Sequence, residues 1–121
     1  MNIEQIRDYC LSKKGTTEDF PFDENTLVFK VLGKMFALAS LKWWEEGNAA
    51  INLKADPEYS EELRASYNSI RAGYHMSKKH WNTLYLHEGE LNPQLVKELI
   101  DHSYDMVVKG MTKKMREQLK E

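Results

Sequence analysis

Apolar positions recur along this chain with two different spacings, and the switches between them outline its elements. Residues 2–12 place Ile3, Ile6 and Cys10 on one helical stripe, and Gly15 closes the segment. The stretch TTEDFPFDEN at 16–25 reads as a loop. Pro21 bars a central strand there, and Phe20 or Phe22 is expected to anchor the loop on the core. From Asn25 to Ser40 the spacing becomes two, as in a hairpin. A type II′ turn centred on Gly33-Lys34 pairs Leu32 with Met35, Val31 with Phe36 and Phe29 with Leu38. That register puts Leu27, Phe29, Val31, Phe36 and Leu38 on a face under helices. Val28, Lys30, Leu32, Met35, Ala37 and Ala39 fall on the other face, which is only partly covered.

The segment KWWEEGN leads through a Gly47-Asn48 turn into a third strand at 49–54. Trp43 and Trp44 are adjacent and cannot both point inward from extended chain; the pattern leaves open which is buried. Asp56-Pro57 starts a helix at 57–69, because Asp accepts from first-turn N–H groups and Pro has no N–H to lose. Tyr59, Leu63, Tyr67 and Ile70 mark its buried side, while Glu58, Glu61 and Glu62 complement its dipole. A strand over NTLYLH alternates Trp81, Thr83 and Tyr85 against Asn82, Leu84 and Leu86. Asn92-Pro93 opens the longest helix, striped by Leu95, Val96, Leu99, Ile100, Ser103, Met106 and Val107, with Gly110 at its C′ position. Thr112 caps a last helix carrying Met111, Met115 and Leu119 on one side. The order predicts an α+β fold with a mainly antiparallel sheet and helices packed on one face.

At 121 residues the chain is expected to be one domain spanning 1–121, with 111–121 as a helical extension. With 41% hydrophobic and 30% charged residues it is too apolar for disorder. The start MNIEQIRDYC lacks the pattern of a signal peptide, and the run MFALASL at 35–41 is far below the roughly 20 residues that span a bilayer. One cysteine, Cys10, rules out an internal disulfide and suits a reducing compartment. These features point to a cytoplasmic monomer without a membrane partner. A net charge of −2 and a pI near 6.1 weigh against a dedicated DNA-binding domain, although local charge can still permit one.

The chemistry-bearing residues concentrate in AGYHMSKKHW at 72–81. His75 and His80 are five apart, which is not a zinc-helix spacing, and His87 and His102 lie on other elements. No nucleophile elbow, phosphate loop or dinucleotide fingerprint is present. Cys10 falls on an apolar stripe and reads as a core residue. No enzyme mechanism, metal or cofactor is expected. Structurally, Trp81 reads as a core anchor, His75 as a semi-buried hydrogen-bonded histidine, and Lys78-Lys79 as a solvated turn capped by Ser77.

The segments PFDENTLVFKVLGKMFAL, INLKADPE, AGYHMSKKHWNTLYL and LNPQLVKELIDHSYDMVV resemble, in order and spacing, the MmcQ/YjbR family over about residues 2–110. The family often has glycine after Pro-Phe where this chain has Asp23. The resemblance implies a compact α+β fold with hairpins likened to wings, and a DNA-binding label. Carried over by position, the wing residues are Lys34 and Ser77 to His80, with Lys30 and Lys54 on the adjoining sheet face. In this reading Lys30, Lys34, Lys54, Lys78, Lys79 and His80, with Arg71, form a basic edge, and Tyr74 or Trp43 stacks on a base or sugar. A second reading is a module for a small, nucleotide-like anion, with His75 and Tyr74 as ligand contacts and Lys54, Lys79 and His80 lining the cleft. A third is a protein-interaction adaptor anchored by the Trp43/Trp44 loop.

Overall fold

A computed structural model describes residues 1–74 and 76–120. Helix α1 (Ile3–Leu11) precedes strands β1 (Thr16–Asp19), β2 (Thr26–Val31) and β3 (Lys34–Ser40). Short helix α2 (Leu41–Glu45), strand β4 (Ala50–Lys54) and helix α3 (Pro57–Ser66) follow. Strands β5 (Ile70–Ala72) and β6 (Trp81–Tyr85), a 3-10 turn at Leu86–Glu88, and helices α4 (Pro93–Lys109) and α5 (Lys113–Gln118) complete the chain. All strands join one antiparallel sheet in the order β1-β2-β3-β4-β6-β5. The expected α+β architecture holds.

Helix starts follow the local chemistry. Asn2 and Gln5 form a reciprocal capping box on α1. Asp56, Asn92 and Thr112 each accept a first-turn N–H, and Pro57 and Pro93 occupy the first helical positions. Gly110 departs from expectation: its φ of −78° is right-handed, so α4 ends without a left-handed glycine.

Ile6 and Cys10 of α1, Leu63 of α3, and Val96, Leu99, Ile100 and Val107 of α4 bury one sheet face. That face presents Leu27, Phe29, Val31, Ile51, Leu53, Ile70 and Leu84. Met111, Met115 and Leu119 seal one margin. Ser103, in the middle of the α4 stripe, is fully buried and polar. Its hydroxyl accepts from the Lys54 N–H at 2.8 Å and donates to the Phe36 carbonyl at 2.5 Å. It thereby bridges β3 and β4 where their direct pairing stops at Ala37–Leu53.

Three expectations are corrected. Residues 16–19 are not loop but an edge strand pairing with 28–31, and β5 is a further short edge strand that the pattern did not show. Pro21 still lies outside any strand, consistent with its missing donor. Phe20 and Phe22 anchor nothing in the core: they are 46% and 63% exposed. Finally, the hairpin turns one residue early. Val31 pairs with Lys34, and Leu32 (φ 48°) and Gly33 (φ 83°) form the turn, the two positive values of a type I′ geometry. A bulge then falls between Phe29–Ala37 and Lys30–Met35, with Phe36 the extra residue. Phe36 and Ala37 both join the main core, and Leu38 moves to the opposite face with Val28 and Trp81.

Candidate functional site

The face without helices is ordered by strand register. Its middle row reads Asp19, Val28, Leu38, Asn52, Thr83 and Arg71 across six strands. Flanking rows hold Lys30 with Met35, Lys54 with Trp81, and Thr26 with Ser40 and Ala50 with Tyr85. Alternation explains these placements: in β4, Ile51 and Leu53 go to the core, so Ala50, Asn52 and Lys54 go outward.

A cleft of about 640 Å³ lies on this face, floored by Leu38, Ala50 and Asn52 and walled by Trp43, Tyr74 and Phe22. Trp43 reaches it because Ser40 caps α2, its hydroxyl accepting the Trp43 N–H. The Trp43 ring lies 5.4 Å from that of Tyr74 and 6.5 Å from that of Tyr85, nearly parallel to the latter. Trp44 takes the other side: it packs on the main core and its Nε1–H donates to the Ala50 carbonyl at 3.0 Å. Both rings are therefore half-buried, Trp44 against the main core and Trp43 on the cleft, so neither is the fully inward member the sequence left open.

Asp23, Thr26, Ser40, Asn52, Tyr74 and Ser77 bring polar groups to the lining, and Thr83, behind it, orients Asn52. The Tyr74 backbone N–H donates to Thr83 Oγ1 at 3.1 Å, and the Thr83 hydroxyl donates to Asn52 Oδ1 at 2.5 Å. Since Thr83 has already accepted one N–H, its own proton goes to Asn52, which turns the Asn52 amide nitrogen away from Thr83. Asp23, also on the lining, accepts the Asn25 and Thr26 backbone N–H groups at 2.8 and 2.7 Å. These bonds hold its carboxyl below the usual range, so a fixed negative charge stands at the rim.

The predicted basic residues separate into groups. Lys34 and Lys54 line a second hollow with Met35, Trp81, Met106 and Gly110 at one end of the sheet. Residues of the C-terminal end of α4 line the same hollow, and the negative end of that helix's dipole offsets part of the lysines' positive field. Lys78 and Lys79 are exposed on a turn closed by the His80 and Trp81 N–H groups donating to the Ser77 carbonyl. Because Lys54 pairs with Trp81, this turn lies at the same sheet end. Arg64 of α3 fixes it, donating to the Trp81 carbonyl at 3.1 Å, to the Lys78 carbonyl and to Asn82 Oδ1 at 2.6 Å. His80 is half-buried, its carbonyl accepting from Ala55.

Two cations leave the expected group. Lys30 Nζ is 3.3 Å from the Asp19 carboxylate. Arg71 is ion-paired with Glu88 at 2.8 Å and lies over the Tyr85 ring. His75 lies outside the described residues. Of the expected ligand contacts Tyr74 is on the cleft, whereas Lys54, Lys79 and His80 are not among its described lining residues. The sequence pattern assigns Asn52, Thr83 and Phe22 no place in a site; the signal that could have found Asn52 was a lone amide at an outward position between Ile51 and Leu53. Among the described residues no three His, Cys, Asp or Glu side chains gather as a metal site, and no helix is long and apolar enough to cross a membrane.

Fold and site together define an α+β protein with one helix-covered sheet face and one open, aromatic-lined face. Comparison with known proteins agrees in fold and gives the lineage. The model of the YjbR family matches residues 11–106, and the chain belongs to that family. It is 31% identical to YjbR of Escherichia coli K12, with 98% of each chain covered. It is 42% identical to YbdF of Escherichia coli O157:H7, covering 78% of this chain and 75% of that one. Among solved structures, the Deinococcus radiodurans protein DR2400, with domain DUF419, superposes with a TM-score of 0.86 at 40% identity, covering 98% of this chain and 87% of the other. A Pseudomonas syringae protein gives 0.72 at 30% identity, covering 88% and 98%.

Proposed function

We propose that this protein binds nucleic acid without catalysis, gripping phosphates with Lys34, Lys54, Lys78 and Lys79 along one end of the sheet. The observation that supports this reading is the meeting of two separate turns there. The 32–33 turn brings Lys34 and the 77–80 turn brings Lys78 and Lys79 to the sheet end where β4 finishes at Lys54, and none of the four is in an ion pair among the described residues. Lys30 is excluded from the grip by its pairing with Asp19. His80 is half-buried beside these lysines and is not one of the phosphate grips.

The net charge of −2 makes the interaction weak and strongly screened. Four phosphate contacts give a slope of log affinity against log salt of about −3.6, so affinity falls about 150-fold between about 50 and 200 mM salt. Fluorescence anisotropy with labelled single-stranded and duplex oligonucleotides measures this directly. Lys78→Glu/Lys79→Glu should weaken binding and reduce the slope by about 2. Failure of the unmodified protein to bind either oligonucleotide at the lower salt disproves the proposal.

A further inference from the structure

We propose that the cleft on the open sheet face is a binding site for a planar, uncharged heteroaromatic ring that presents a hydrogen-bond acceptor, nucleobases being the reference members of the class. Three large hydrophobic residues are notably exposed among the described ones, Phe20, Phe22 and Tyr74, and two of them line this cleft. Exposed aromatic surface around a concavity is unfavourable in water until something flat covers it. The Trp43 and Tyr74 rings meet at 55°, giving a corner in which one face can stack while an edge is met side-on. A volume of about 640 Å³ is in the range of ligand sites and exceeds a single ring, leaving room for a substituent such as a sugar.

The polar contact selects among flat molecules. Tyr74 N–H, Thr83 hydroxyl and Asn52 Oδ1 form a relay that fixes the Asn52 carboxamide, and Asn52 Nδ2 has no partner among the described residues. Asn52 is on the cleft floor, so this nitrogen is a pre-aimed donor for a ring nitrogen or carbonyl oxygen. Charge selects further. The described lining contains one ionisable acid, Asp23, and no lysine or arginine, so phosphate is not favoured inside. The proposal thus goes beyond the nucleic-acid reading, because the ligand it describes needs no phosphate. The ring can come from a free small molecule or from an unstacked base of a strand held at the adjoining lysines, since Met35 borders both hollows.

Amide NMR titration of the full chain with adenosine, cytidine and uridine, up to about 5 mM, tests the site with phosphate-free probes. The expected result is saturable shifts of the Asn52 side-chain amide and of the Trp43 and Tyr74 backbone amides. Asn52→Asp keeps an oxygen for Thr83 but deletes the donor, and should raise Kd about tenfold or more. Tyr74→Ala removes an exposed ring without touching the core and should weaken binding severalfold. Lys78→Glu/Lys79→Glu should leave nucleoside binding unchanged. If a short oligonucleotide is weakened by both Asn52→Asp and the double lysine variant, the ring is a base of a strand. If nucleosides bind and oligonucleotides do not, the cleft takes a free molecule and the nucleic-acid proposal alone fails. Absence of saturable shifts at the cleft, or shifts unaffected by both Asn52→Asp and Tyr74→Ala, overturns the cleft proposal whatever oligonucleotides do.

Discussion

Ser103→Ala deletes one oxygen from the most buried stretch of α4, and its cost can be worked from the hydrogen bonds it makes. The Ser103 hydroxyl lies fully buried between two strands, accepting from the Lys54 N–H at 2.8 Å and donating to the Phe36 carbonyl at 2.5 Å. Continuing the Ala37–Leu53 and Leu38–Asn52 pairing would set Phe36 against Lys54, so the hydroxyl is spliced into a ladder that would otherwise close. Phe36 is the bulged residue and its ring is buried, which prevents the strands from simply sliding together. The space vacated by one oxygen is too small to hold a water. Alanine therefore leaves a part-buried donor and a buried acceptor unpaired, at about 1–3 kcal/mol each, the donor at the lower end. Allowing for partial relaxation, a loss of about 3 kcal/mol is expected, a large share of a typical domain's stability. Urea unfolding followed by tryptophan fluorescence should show a lower midpoint with an unchanged slope, and a melting temperature about 10 °C lower. A loss below about 1 kcal/mol would refute the reasoning, because it would mean the two strands can pair directly.

Two further outcomes concern titratable groups. His102 Nε2 accepts the Asp56 backbone N–H at 3.1 Å, and its ring meets Tyr59 edge-on at 4.8 Å. Burial holds the imidazole below its ordinary value against the opposing pull of Asp56 and Asp105. The unfolded chain thus binds the proton more readily, so this contribution to stability is complete above about pH 6.5 and lost as pH falls below it. His102→Gln should flatten that part of the stability profile, and identical profiles in the two proteins would contradict the assignment. Cys10 is fully buried and its thiol is pushed up to about 12 by burial, so a thiol reagent should react only as the protein unfolds. Rapid labelling under native conditions would count against it.

Where alternation was uninterrupted, the sequence carried the fold. Asp56-Pro57, Asn92-Pro93 and Thr112 each begin a helix as their side-chain chemistry requires, and the α4 stripe faces the sheet as its spacing implies. The failures share a physical cause: each depends on contacts remote in sequence. β1 is polar enough to read as loop and becomes a strand because β2 supplies its partners. β5 has three residues and exists only by pairing with β6. A bulge adds one residue to a strand whose period is two, so every assignment beyond Phe36 inverts; Leu38 faces outward and Ala37 inward for that reason. The lysine group was partly legible, as turns carrying Lys34 and Lys78-Lys79. Salt-bridge partners such as Asp19 for Lys30 could not be read from spacing. The cleft was hidden because its walls come from segments 22, 43 and 74, brought together only by the sheet.

The hairpin tip owes its shape to a mooring. Leu32 adopts a left-handed backbone that a leucine enters at a cost of about 1–2 kcal/mol. Its N–H donates to the Gly15 carbonyl, and Gly15 is so close to the Leu32 and Leu119 side chains that a methyl group there would lie 2.6 Å from Leu119 Cδ2. A loop residue, a turn residue and a residue just beyond α5 thus lock together, the last lying past the segment 11–106 shared with the family model. The tip carrying Lys34 is an anvil rather than a finger: whatever meets it must take the shape it offers.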